Sequence, residues 1–232
     1  LTTQWTRKTR HYFSKRKYKS RLRMIIHEHY ISARRLVAVK FVRGHLLIPY
    51  IHREFGSKII HLRRDPRAVL ASFISNGWIN YSNFDISPKD LLLNVDDGRS
   101  DFFNKFEDLL ARLERGSVIE RLTLYWALTE RFVENHKDKV VIIPYEDICN
   151  GDFENLKRAL LKQATHRSPE ASTLWWQQDS MTTTPSRMGA TSNERISGWE
   201  QILCPSQLSA IDQVLEAAGV YITKNGVQFD PL

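Results

Sequence analysis

The chain of 232 residues supplies one ordinary domain with a sizeable core, and it is too short for two independent cores to be the default. With 42% hydrophobic residues, 11% aromatics, 10 Gly and 8 Pro, it falls outside the disordered, collagen-like and low-complexity classes. Its formal charge of +8 is unevenly spread. Residues 1–40 hold 12 of the 34 Lys and Arg against the single acid Glu28, a balance of +11, and the rest hold 22 bases against 25 acids, a balance of −3. A near-neutral body thus carries a basic arm, which points to an anionic partner (nucleic acid, a membrane surface, a sulfated glycan or a phosphorylated cofactor) without choosing among them.

In chain order, Tyr18, Leu22, Ile25, Ile26 and Tyr30 recur at helical spacing, so the arm is expected to end in a helix over 15–31. The run 36–42, Leu-Val-Ala-Val-Lys-Phe-Val, reads as a buried strand, and Gly44 precedes a helix over 46–55. Gly56-Ser57 turns the chain into a second strand, 58–63. Asp65-Pro66 is then a strong helix start, because Asp accepts from free amides and Pro is pre-set for the first helical position; that helix is expected to stop at Gly77. Residues 78–99 read as a loop with one short helix near Leu91. Helical patterns return over 102–113 and 117–135, followed by a strand over 139–145 and a helix over 153–161. The Thr-, Ser- and Arg-rich stretch from 164 to 198 reads as loop. A last helix fits 206–218, closed by Gly219. Continuous Val/Ile strands alternating with helices indicate a parallel sheet covered on both faces. The organisation expected is a basic arm over 1–35 and an α/β domain over 36–232.

Cys149 and Cys204 allow at most one disulfide, and no Cys/His array has zinc-like spacing. His27-Glu28-His29 lacks a third ligand at a natural spacing and reads as a helix-surface pair, so no metal is expected. No apolar run approaches the ~18 residues of a membrane span. A chain that starts at Leu1 is expected to have been cut from a longer one, with any targeting segment or anchor upstream.

In open parallel sheets, ligands bind beyond the carboxyl ends of the strands, where loops and helix N-termini offer backbone N–H donors. Arg63, Arg64 and Asp65 fall at such an edge, and an Arg there presents a rigid fork suited to phosphate or sulfate. The stretch 58–72, Lys-Ile-Ile-His-Leu-Arg-Arg-Asp-Pro-Arg-Ala-Val-Leu-Ala-Ser, resembles the 3′-phosphate-binding motif of sulfotransferases that use 3′-phosphoadenosine 5′-phosphosulfate (PAPS). Its wording is closest to the carbohydrate-type branch. Tyr145-Glu146-Asp147 after a strand resembles the family's Tyr-Glu-Asp segment, and Arg195-Ile-Ser-Gly-Trp199 resembles its C-terminal Arg-containing loop.

The resemblance implies a three-layer, P-loop-like parallel sheet and sulfuryl transfer from PAPS to an acceptor hydroxyl, a carbohydrate by the branch. It further implies that Arg64 and Ser72 hold the 3′-phosphate, that Tyr145 lies near the adenine, and that Arg195 joins the cofactor site. His45 sits where cytosolic-type members carry their catalytic base, whereas Lys40 and Arg43 match the Lys-x-x-Arg of carbohydrate-type members, whose base lies elsewhere. The Golgi lumen is implied for an animal carbohydrate-type enzyme, and the cytoplasm for a microbial one.

One departure concerns the loop that cradles the 5′-phosphosulfate. None of the 10 glycines is followed by Lys, so neither a G-x-x-x-x-G-K-[ST] loop nor a G-x-G-x-x-G fingerprint is present. The nearest imitation, 184–192, has no strand leading into it. The expectation is a domain lacking that half of the site, upstream or lost.

Plainer readings stand beside these. Arg64 alone reads as a strand-end charge paired with Asp65 or Glu146, and Ser72 as a helix hydroxyl bonded to the carbonyl four residues back. Tyr145 alone reads as a cover for the sheet edge, Glu146-Asp147 as helix N-terminal charge, and Trp175-Trp176 as loop anchors to the core. The basic arm, with Tyr12, Phe13 and Tyr18 interleaved, offers a competing class: a polyanion or nucleic-acid binder through residues 7–23. A catalytically inactive scaffold of the same fold is the other alternative.

Overall fold

The structure is a computed structural model that describes residues 39–41, 44–77, 87–93, 99–161, 191–223 and 226–231. The chain divides into two compact units, 1–42 and 43–232. In the first, only 39–41 are described; they belong to no strand. The strand expected over 36–42 is therefore not formed in its described part, since apolar β-branched character signals burial and a strand exists only with a ladder partner. The arm helix expected over 15–31 lies outside the described residues.

The second unit opens with a 3₁₀ turn, His45–Leu47, running into helix α1, Ile48–Phe55. Gly56 ends α1 at φ +55°, a left-handed conformation that costs glycine little. Strand β1 follows, Ile59–Arg63. Helix α2, Pro66–Ser75, starts as the Asp65-Pro66 pair predicts: the Asp65 side chain accepts from the Arg67 amide. Short helices α3, Pro88–Leu92, and α4, Ser100–Phe103, lead to α5, Glu107–Leu113. Then comes the long α6, Val118–Glu134, opened by a Ser117/Glu120 capping box. Strand β2, Val140–Pro144, passes directly into α7, Tyr145–Cys149, and α8, Glu154–Leu161. Helix α9, Ser192–Ser197, and a 3₁₀ turn, Gly198–Gln201, precede α10, Pro205–Ala217. Strands β3, Val220–Thr223, and β4, Gly226–Phe229, close the fold.

Among the described residues, β1 pairs only with β2, in parallel, with Ile59 opposite Val140 and Arg63 opposite Pro144. The two strands alternate between two apolar clusters. Ile59, Val140 and Ile142 pack with Ile48 of α1 and Val133 of α6, while Ile60, Val141 and Ile143 pack with Ile148 of α7 and Leu156 of α8. Helices thus cover both faces of a small parallel sheet, an α/β arrangement. A separate antiparallel hairpin joins β3 and β4. The main core is helical: Leu122, Leu124, Leu128 and Phe132 of α6 are buried with Phe103, Leu110, Ile211 and Leu215. Among the described residues, no helix is long and apolar enough to cross a membrane, and no group of three or more His, Cys, Asp or Glu is placed to hold a metal ion. Both cysteines are free thiols.

Candidate functional site

At the carboxyl end of β1, the consecutive side chains of Arg63 and Arg64 leave in different directions, as successive residues of an extended chain alternate faces. Arg63 turns toward α6. Its Nε donates to Glu130 Oε2 at 2.8 Å and its Nη2 to Glu134 Oε2 at 3.1 Å. His61, two residues back on the same face, meets Glu130 Oε1 through Nε2 at 2.8 Å. Burial alone would push the Glu130 carboxyl up, but the hydrogen bond and charge of His61, then Arg63, outweigh it and hold the group below the ordinary carboxylate range. Sequence reading missed this network. Its members lie 67 to 71 positions apart, and nothing local in the sequence joins them.

Arg64 points to the other side. Its guanidinium lies over the Tyr145 ring, 4.8 Å from the centroid, and its Nη2 donates to the Arg195 carbonyl at 2.8 Å. Its Nε is buried and meets no acceptor among the described residues. Neither plainer partner engages it: Asp65 binds Arg67, and Glu146 Oε1 accepts from the Asp65 amide at 3.0 Å. The residues of the Tyr-Glu-Asp segment therefore meet this turn, Tyr145 under the guanidinium and Glu146 on the amide that opens α2. Burial and a hydrogen bond with Cys149 push the Tyr145 phenol up, while the Arg64 and Arg195 charges pull it down.

Arg195 sits on α9, whose start is fixed by a Thr191/Glu194 capping box. Arg67 folds back on Asp65, with Nη2 to Oδ2 at 2.6 Å and Nε to Oδ1 at 3.0 Å, and its flat face covers the Trp199 ring at 4.4 Å. The carboxylate holds the Arg67 proton more firmly than usual.

The structure brings Arg64, Tyr145 and Arg195 into one cluster. Ser72 lies on α2, where the Asn76 side-chain amide donates to its carbonyl at 2.7 Å and to its Oγ at 3.3 Å. The back-bond expected of a helix serine is made instead by Ser75, to the Ala71 carbonyl. His45 belongs to a different neighbourhood, its ring 6.3 Å from that of His61 and 6.2 Å from that of Tyr125.

Chemically, the cluster offers one guanidinium over an aromatic face with the Arg195 charge felt at its phenol, a buried N–H with no acceptor among the described residues, and a helix start at the sheet's carboxyl edge. That set suits a phosphorylated planar ligand. No curated protein and no solved structure matches the chain. A family profile described as "Sulfotransferase domain" matches residues 4–164, a stretch that contains His45, Arg64, Ser72 and Tyr145 and ends before Arg195. The match takes in more than half of the chain and includes the strand-to-helix turn built around Arg64, so the protein belongs to the sulfotransferase family, whose chemistry is sulfuryl transfer.

Proposed function

We propose that the protein transfers a sulfuryl group from PAPS to a hydroxyl of an acceptor, a carbohydrate by the wording of residues 64–72. The observation that carries the proposal is Arg64 Nε, buried beside Tyr145 with no acceptor among the described residues. A buried donor left unsatisfied costs about 1–3 kcal/mol, and an anionic oxygen would remove that cost. The residues therefore fit a phosphorylated nucleotide: Arg64 and Ser72 hold the 3′-phosphate, Arg195 adds charge to the same site, and the Tyr145 ring lies against the adenine. When bound, PAPS supplies the activated sulfuryl group.

The acceptor hydroxyl must lose a proton as it attacks, and we assign that proton to His45 by its correspondence with the base of cytosolic-type members, not by the carbohydrate-type wording; imidazole is a competent base near pH 7. The parallel pair β1–β2, with helices on each face, is consistent with the three-layer, P-loop-like sheet we assign to the domain. The excess of 12 bases over one acid in residues 1–40 suits contact with a polyanionic acceptor through the arm at 7–23.

The test is calorimetry with 3′-phosphoadenosine 5′-phosphate. Arg64→Ala is expected to weaken binding by about 1.5–3 kcal/mol, the worth of a charged hydrogen bond. Unchanged affinity in that variant removes Arg64 from the site. Tight nucleotide binding with no sulfate transfer to any glycan acceptor would favour the inactive-scaffold reading. Indifference to the nucleotide, with steeply salt-dependent heparin or RNA binding, would favour the polyanion binder.

A further inference from the structure

We infer that Arg67 and Trp199 form a latch that keeps Arg195 in the site, making Arg67 a positioning residue for the nucleotide; the inference rests on the reading of Arg64 and Arg195 given above. The two arginines that flank Asp65-Pro66 grip the same C-terminal segment at two points. Arg64 holds the carbonyl of Arg195, and Arg67 covers the ring of Trp199, one helical turn further on. Arg67 is unusually well prepared for this. Asp65 takes Nε and Nη2 together, which fixes the guanidinium as a rigid plate, and a pre-oriented plate loses less freedom when it stacks on an aromatic face than a swinging chain does.

Asp65 is itself held from the opposite side, because its amide donates to Glu146 and its carboxylate caps α2. The line Glu146, Asp65, Arg67, Trp199 thus connects the helix that carries Tyr145 to the turn that follows Arg195. Two elements 131 positions apart at Arg64 and Arg195 are kept in register by a second contact that places no group of its own on Tyr145. An anion that draws Arg64 away from the Arg195 carbonyl removes one tie on this segment, beside the packing of Trp199 and Ile202 on the main core. With the latch in place, Arg64 can change partners while Arg195 stays.

The test is calorimetry of the whole chain with 3′-phosphoadenosine 5′-phosphate. Arg67→Ala and Trp199→Ala are each expected to weaken binding by about three- to tenfold, in line with a partly desolvated cation–aromatic contact. The double variant is expected to be no worse than either single one, and Trp199→Phe is expected to restore most of the affinity lost in Trp199→Ala. In an Arg195→Ala background, Arg67→Ala should cost nothing further. Unchanged affinity in Arg67→Ala, or a loss undiminished in the Arg195→Ala background, would overturn the latch while leaving the site reading intact. Trp199→Phe reproduces the alanine loss only if the ring is not what Arg67 needs, which also refutes it. Unchanged affinity in Arg64→Ala marks failure of the site reading itself.

Discussion

Replacing Glu130 with Leu tests whether the ion network behind β1 is a structural keystone. Glu130 is only 6% exposed, and each of its oxygens is met at 2.8 Å, one by His61 and one by Arg63. Removing one member of a buried charged network costs about 3–5 kcal/mol, because the partner left behind stays buried and uncompensated. Here Arg63 retains Glu134 at 3.1 Å and lies 5.0 Å from the centre of the Phe229 ring. The expected loss therefore sits near the lower end, about 3 kcal/mol. In a domain of this size that corresponds to a fall of roughly 6–12 °C in melting temperature.

Urea denaturation of wild type and Glu130→Leu at pH 7 measures the loss directly. Its pH dependence has a definite sign. The folded carboxyl titrates below its unfolded value of ~4.3, so the charged form is what the fold stabilises. The wild-type advantage is full above that value and shrinks as the pH falls through the lower, folded one. A difference under about 1 kcal/mol at pH 7, or one that stays constant in acid, refutes the network as the source of stability.

Gly219→Ala is expected to cost about 2–4 kcal/mol in thermal unfolding. Gly219 sits at φ +63°, and an added Cβ would lie 2.7 Å from Arg131 Nη1, an atom pinned by the carbonyls of Ala218 and Gly219; a loss below a few tenths of a kcal/mol would show that Arg131 can move aside. Asp65→Ala is expected to cost about 1–2 kcal/mol through the lost cap, whereas Asp65→Asn keeps the cap oxygen and should recover most of that in the same melt. Equal losses in the two would place the effect on the Arg67 pairing.

The turn around Arg64 was legible because everything that defines it is local. Asp65 caps, Pro66 starts and Gly77 stops within one short stretch, and the wording of 58–72 carried the resemblance. Two smaller elements left signals that went unread. Thr191-x-x-Glu194 is a capping box, yet the Ser- and Thr-rich composition around it argued for loop. Val220-x-Ile222 and Val227-x-Phe229 alternate on either side of Asn225-Gly226, a hairpin signature obscured by reading Gly219 only as a helix stop. In its described part, 39–41, the strand expected at 36–42 is not formed, for the opposite reason: the composition was right, but pairing is not a property of composition. The stacking of Arg64 on Tyr145 and of Arg67 on Trp199 joins positions far apart in sequence, and only the fold places them together.

Arg131 shows why the stretch that identifies the family is not a self-sufficient body. Its guanidinium, on α6, donates to the carbonyls of Ala218, Gly219 and Asp230, and the same helix shares its apolar side with Leu203, Ile211, Leu215 and Val220. All of these partners lie beyond residue 164, where the family match stops. On the ribosome, 87 residues separate Arg131 from its first acceptor, an interval of roughly 4–17 s at ordinary elongation rates. Throughout that time the flank of α6 that packs on Leu203, Ile211, Leu215 and Val220 lacks its cover, and Arg131 donates to water in place of those carbonyls. The newborn chain is thus most vulnerable to association until residues 203–230 emerge, and a chaperone that shields α6 until then would act where the need is greatest.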